Sequence, residues 1–195
     1  MVLYVAYRAP KESKCRSILP RRLKALGCRQ IHRSFWEVDE EKVDKALEVL
    51  EKNQPILLKR VREIKKPQFV KNKGISDLGS LVIVMYATPK EVKREKIKNF
   101  LRKAPCIRLC RSVYAFPQRH SLFDKNNDLV DALKFAAFIE EIQDDVKVIP
   151  RAVIVNTSSI EILLEEIRER VESEISDIIR CCKGLYDRAL GGQHD

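Results

Sequence analysis

Two hydrophobic patterns alternate along the chain: short unbroken apolar runs, which mark strands, and apolar residues three or four apart, which mark helices. The run Val2 to Tyr7 predicts a buried strand. A basic loop, Arg8 to Lys14, leads into a helix that Gly27 stops, with Ile18, Leu19, Leu23 and Leu26 as its buried stripe. Pro20 makes that helix either kink or start late, near Ser17. Cys28 to Val38 reads as extended, either one bent strand or two strands with a tight turn near Arg33. Asp39 is the cap of a helix to Lys52 with Val43, Ala46, Leu47 and Leu50 inward, and Pro55 to Ile64 is a strand. Lys65 to Leu78, with Pro67, Gly74 and Asp77 and no period, reads as a connector.

The same order then recurs. Leu81 to Ala87 is apolar, and Thr88-Pro89-Lys90-Glu91 starts a helix whose core residues are Ile97, Phe100 and Leu101. Cys106 to Phe116 is a second extended stretch, followed by a polar loop, Pro117 to Asn127. Asp128 caps a helix to Gln143, and Val146 to Val155 is a last strand in which Pro150 marks a bulge or an edge. Ser158-Ser159-Ile160-Glu161 is a capping box, and behind it Ile160, Leu163, Leu164, Ile167, Val171, Ile175, Ile178 and Ile179 keep helical spacing to Cys182, with Gly184 as the stop.

The recurrence extends to residue identity. Tyr7, Pro10, Lys11, Glu12 and Lys14 match Tyr86, Pro89, Lys90, Glu91 and Lys93 at an offset of 79, and Arg33-Ser34 matches Arg111-Ser112 at 78. A period this long fits a small domain used twice. The expected fold class is α+β: two tandem ferredoxin-like (βαββαβ) units forming an internal pseudo-dimer, plus a long C-terminal helix. The units fall at 1–66 and 80–156, with a linker at 67–79 and the helix at 157–187. The helix stripe must be covered, by the chain's own body or by a homodimer partner.

Charge gives the first functional direction. The net charge of +10 divides into +9 for residues 1–79, +5 for 80–156 and −4 for 157–195. A basic body points to a polyanion, DNA or RNA; a Lys/Glu-rich surface of a heat-adapted protein is the competing explanation. No apolar run approaches the roughly 20 residues of a membrane span, so no membrane partner and a cytoplasmic location are expected. The six cysteines contain no Cys-x-x-Cys pair, and Cys106 and Cys110 read as small buried hydrophobes. No metal site and no cofactor are expected.

The pattern of strand, tyrosine, loop, helix, and an extended stretch with Arg-Ser and an aromatic resembles the CRISPR-associated protein 2 family of small ferredoxin-like nucleases. It also resembles related domains in the repressor PaaX and the chromate-resistance regulator ChrB, and the segment from Phe116 to Ile179 looks most like the ChrB type. In the CRISPR family an aspartate follows the tyrosine that ends the first strand, and two such carboxylates are proposed to hold a divalent metal. Here that position is Arg8 in one copy and Ala87 in the other. Arginine repels a hard cation that needs oxygen ligands. The resemblance therefore implies the scaffold and its basic surfaces without the usual metal anchor.

Arg8 to Arg33 holds nine Lys+Arg and one acid, Glu12. The candidate nucleic-acid-binding residues are Arg8, Lys11, Lys14, Arg21, Arg22, Arg29 and Arg33 in the first copy and Lys90, Lys93, Arg94, Arg108 and Arg111 in the second, with Arg29/Arg108 and Arg33/Arg111 as repeated positions. Binding through them would be backbone-led, since no base-reading motif is present. No glycine-rich phosphate loop, HExxH or GxSxG occurs, and His120 is the best general-base candidate if an RNA-cleaving site exists. Three functions fit this picture: a non-catalytic nucleic-acid-binding protein, a metal-dependent endonuclease with relocated ligands, or a scaffold assembling through the C-terminal helix.

Overall fold

A computed structural model describes residues 2–10, 16–70, 74–87, 91–118, 131–142 and 145–191. The fold is mixed α+β, with one eight-stranded antiparallel sheet, a separate two-stranded hairpin and five helices among the described residues. The strands are β1 (Leu3–Ala6), β2 (Arg29–His32), β3 (Phe35–Val38), β4 (Ile56–Arg60), β5 (Gln68–Val70), β6 (Gly74–Asp77), β7 (Leu81–Tyr86), β8 (Ile107–Cys110), β9 (Val113–Pro117) and β10 (Val146–Ile154). The helices are α1 (Ile18–Ala25), α2 (Val43–Leu50), α3 (Glu91–Arg102), α4 (Ala132–Ile142) and α5 (Thr157–Gly191). Contacts divide the chain into two compact units, Met1–Ile160 and Glu161–Asp195.

Sheet order is β2-β3-β1-β4-β10-β7-β9-β8. From either edge inward, the strands come second, third, first and fourth in their half of the chain. The halves join where β4 meets β10, with Leu58 opposite Ile154. Registers match as well: Val5 faces Trp36 as Val84 faces Tyr114, and Gln30 faces Trp36 as Arg108 faces Tyr114. Arg108 thus answers to Gln30, not to Arg29. The offset has already become 78 at β2, so the repeated pairing of Arg29 with Arg108 is corrected by one residue.

Local chemistry explains where elements begin and end. α1 starts late, at Ile18, which puts Pro20 in its first turn, where a missing N–H costs little. Ile18 is exposed as a consequence, while Leu19 and Leu23 are buried. Cys28 to Val38 resolves into two strands with a turn at Arg33-Ser34. Asp39 does not cap through its side chain; it holds Lys42 at 2.8 Å, and 3-10 turns flank α2 at both ends. The expected connector contains the β5–β6 hairpin, and it closes at its base, where Ser80 N–H donates to Lys65 O and Lys65 N–H to Ser80 Oγ, both at 2.8 Å. The caps expected at Thr88 and Asp128 lie outside the described residues; Asp131 Oδ1 accepts the Lys134 N–H at 2.9 Å at the start of α4. Pro150 sits in a bulge, between Ile149 and Ala152, of a central strand. At α5, Asn156 O and Oδ1 accept from the Ser159 N–H and hydroxyl. The helix does not stop at Gly184 but continues to Gly191; an isolated helical glycine costs only ~1 kcal/mol relative to alanine.

Both faces of the sheet are buried. On one, Val5, Trp36 and Val38 pack with Leu19, Leu23, Ala46 and Leu50, and Val82, Val84 and Phe116 pack with Ile97, Phe135 and Ile139. On the other, Ala6, Phe35, Leu58, Ile83, Met85 and Val113 are all fully buried. The sheet is folded over enough for edge strand β2 to touch strands far from it in the order. Lys147 Nζ on β10 donates to Ile31 O at 3.2 Å, and His32 Nε2 meets Tyr86 O at 2.9 Å at the end of β7. This curling, an extreme of the ordinary strand twist, encloses the face away from the helices.

Candidate nucleic-acid interface

The fold brings the two Arg-Ser turns together. Each turn is tied to the end of its neighbouring strand: Tyr7 N–H donates to Ser34 O and Tyr86 N–H to Ser112 O, both at 3.1 Å. Both serines are buried, and Ser112 holds a left-handed backbone, φ 60°, to make its turn. His32, just before the first turn, donates its Nε2–H to Tyr86 O. Two hydrogen bonds through Tyr86 therefore connect the turn of Arg33 to the turn of Arg111. On the matching side Cys110 lies within electrostatic reach of the Tyr7 hydroxyl.

The centre of this junction is uncharged. Burial is the main cause that raises Tyr7, Tyr86 and Tyr114 above the usual tyrosine range. Burial likewise pushes the Cys110 thiol up to about 12. His32 is pushed down, first by burial and then by Lys147 and Arg33, against the opposing pull of the Tyr86 carbonyl and Asp145. It is therefore neutral at pH 7, with Nε2 protonated by its bond to a carbonyl; its Nδ1 is buried with no partner among the described residues. The positive charge lies around this neutral centre, on the exposed Arg33 and Arg111 and on Lys147.

The other candidates are distributed unevenly. Arg8 lies two residues past β1 with its main chain pinned, its N–H donating to Asn53 O at 3.0 Å and its carbonyl accepting from Asn53 Nδ2 at 2.9 Å. Arg108 is exposed on β8, and its Nε donates to Cys110 O at 3.4 Å. Arg21 and Arg22 are exposed on α1, away from the turns in sequence and on a different element. Arg29 lies on the edge strand and is bound by Glu37 through two bonds of 2.5 and 3.1 Å. Lys93 on α3 donates to Ile142 O at the end of α4, and Arg94 is exposed on the same helix. Lys11, Lys14, Lys90 and His120 lie outside the described residues.

Sequence reasoning missed His32 and Lys147 as members of the junction. Neither sits in a motif; both arrive through the folding-over of the sheet. Among the described residues no three His, Cys, Asp or Glu side chains group as metal ligands, and Arg8 and Ala87 follow the tyrosines Tyr7 and Tyr86 just past the strands that open each half. What the arrangement offers is guanidinium and ammonium donors around a rigid, neutral base, which suits phosphate oxygens. Comparisons with protein-family models, with curated proteins and with solved structures each return no match.

Proposed function

We propose that this chain is a non-catalytic nucleic-acid-binding protein built from two fused ferredoxin-like units, gripping the phosphate backbone at the junction of its two Arg-Ser turns. The second-third-first-fourth strand order in each half, with both crossovers helical, supports the duplicated scaffold. The observation that carries the functional reading is the linkage of Arg33 to Arg111 through His32, Tyr86 and Ser112. Two cationic turns held close by one side-chain and one main-chain hydrogen bond form one site, and the basic balance of residues 1–156 surrounds it. Contacts of this type neutralise phosphates without reading bases, so affinity falls steeply with salt.

The test is fluorescence anisotropy with labelled duplex DNA and duplex RNA across a salt series. Binding at low salt with a negative log–log slope is expected, and the Arg33→Glu/Arg111→Glu chain should lose at least tenfold more affinity than the charge-matched Lys65→Glu/Lys66→Glu chain. No binding of either duplex at low salt overturns the reading. Cleavage that a chelator abolishes would replace it with the endonuclease carrying relocated ligands.

A further inference from the structure

The C-terminal part of α5 carries an apolar seam of its own. From Ile160 the stripe steps through Leu164, Ile167 and Val171 by four, three and four residues. A second step of four, Val171 to Ile175, then interrupts the alternation and rotates the rest of the stripe around the helix. Beyond it Val171, Ile175, Ile178, Cys182 and Leu185 alternate four and three apart, the spacing of a two-stranded coiled-coil seam. These positions are open: Val171 is 47% exposed, Ile175 50%, Ile178 62% and Leu185 62%, and Ile179 and Tyr186 beside them are exposed too. The polar face is closed by its own exposed pairs, Arg168–Glu165, Arg170–Glu174 and Arg180–Asp177.

Charge identifies the occupant. Residues 157–177 of the helix hold seven acids against two arginines, whereas 178–191 hold three basic residues against one acid. A parallel copy would set the acidic part against its like. An antiparallel copy sets it against the basic part and opposes the helix dipoles. We propose that Ile175–Leu185 of α5 pairs antiparallel with the same stretch of a second copy of this chain, about a two-fold axis near Arg180. Ile175 then packs on Leu185 of the second copy and Ile178 on its Cys182, because both pairs are centred on the same residue. On one flank Glu174, which already accepts from Arg170 at 3.1 Å, also reaches Arg188 of the second copy, and Cys181 approaches its twin. On the other flank Ile179 meets Ile179 and covers the seam. The contact is isologous and closes at two copies.

The experiment is sedimentation equilibrium on the full chain, with cross-linking by a short bismaleimide. Cross-linking uses a Cys15→Ser background, since Cys28, Cys106 and Cys110 are buried whereas Cys181 and Cys182 are exposed. A dimer is expected that Ile178→Glu weakens at least tenfold with unchanged circular dichroism. With Cys182→Ser added, so that Cys181 remains, cross-linking should run several times faster than with Cys181→Ser. Glu174→Lys and Arg188→Glu should each weaken the dimer at least threefold, and the double exchange should restore it; this variant set does not depend on how Ile178→Glu folds. A monomer at every concentration overturns the proposal. So does a dimer indifferent to Ile178→Glu, or one that cross-links faster through Cys182 and is not rescued by the charge exchange, the signature of a parallel pair.

Discussion

Tyr7 and Tyr86 hold the same position in the two halves of the sheet: each main-chain N–H donates to the carbonyl of a buried serine, Ser34 or Ser112, at 3.1 Å. One position on, the halves have diverged. Where β2 presents His32 to the Tyr86 carbonyl, β8 carries Cys110 at the matching position, a buried thiol held protonated and within electrostatic reach of Tyr7. The crossing is thus polar on one side and apolar on the other. Within one chain the two halves of the sheet are free to differ at matching positions in this way, which a dimer of identical chains is not.

Phe135 is the keystone of the second-half core. It is fully buried, with ring centroids 5.4 Å from Phe116, 5.9 Å from Tyr86, 6.0 Å from Phe100 and 6.1 Å from Tyr114. Phe135→Ala removes a ring that four others rest on and should destabilise by about 3–5 kcal/mol. Urea unfolding followed by tryptophan fluorescence reads this, since Trp36 is buried in the other half. A shift below about 1 kcal/mol would mean that this ring cluster collapses into the cavity at little cost.

Element type and order were legible because the apolar runs are long against the turn signals: Leu81 to Tyr86 and Ile56 to Leu58 hold no polar residue. The tight turn near Arg33 was legible only as one of two readings of Cys28 to Val38, because Ser34 carries no glycine or asparagine signature and its turn is stabilised by Tyr7, far away in sequence. The joining of both halves into one sheet was hidden too. Nothing in β4 or β10 distinguishes a pairing with each other from an exposed edge, save the burial of Leu58 and Ile154 on both sides. Of the site, the two arginine turns were readable as a repeat. Lys147 was not, because its place depends on how far the sheet curls.

His32 should give the stability a pH dependence of fixed sign. Its pKa is lowered below the usual 6.5, chiefly by burial. The unfolded chain therefore binds the extra proton more readily, and stability falls as pH drops through 6.5 and below. The contribution is fully present above that value. His32→Gln keeps a donor for the Tyr86 carbonyl but cannot titrate. The wild-type chain should thus lose more of its thermal midpoint than the variant between pH 7.5 and about 5.5, a window set by the ordinary histidine range. Parallel pH profiles for the two proteins would show that the ring is solvated in the folded state.

Two glycines should respond oppositely to alanine. Gly79 has φ +70°, and a Cβ there would lie 2.7 Å from Lys65 O and Pro67 N at the base of the β5–β6 hairpin. Backbone strain and backbone clash combine, so Gly79→Ala should destabilise by more than about 1 kcal/mol. Gly184 lies inside α5 with nothing within 4 Å of its missing Cβ. Gly184→Ala should strengthen the helix by about 1 kcal/mol. Thermal melts at 222 nm for the two variants decide both, and a stabilising Gly79→Ala would contradict the closed base.

Arg29 and Arg33 are four residues apart, yet their substitution should be felt differently by a polyanion. Arg29 is held by Glu37 through two short bonds, so its charge is already matched and its guanidinium committed; Glu37 raises its pKa for the same reason. Arg33 is exposed at the turn that His32 ties to Tyr86. Arg33→Ala should weaken duplex binding several-fold and lower the salt slope by about one phosphate's worth. Arg29→Ala frees Glu37 and removes a matched charge, and should change the slope little. Glu37→Ala is the sharper control: releasing Arg29 should strengthen binding. Anisotropy titrations at three salt concentrations separate these outcomes, and equal losses for Arg29→Ala and Arg33→Ala would mean that binding follows total charge and not the junction.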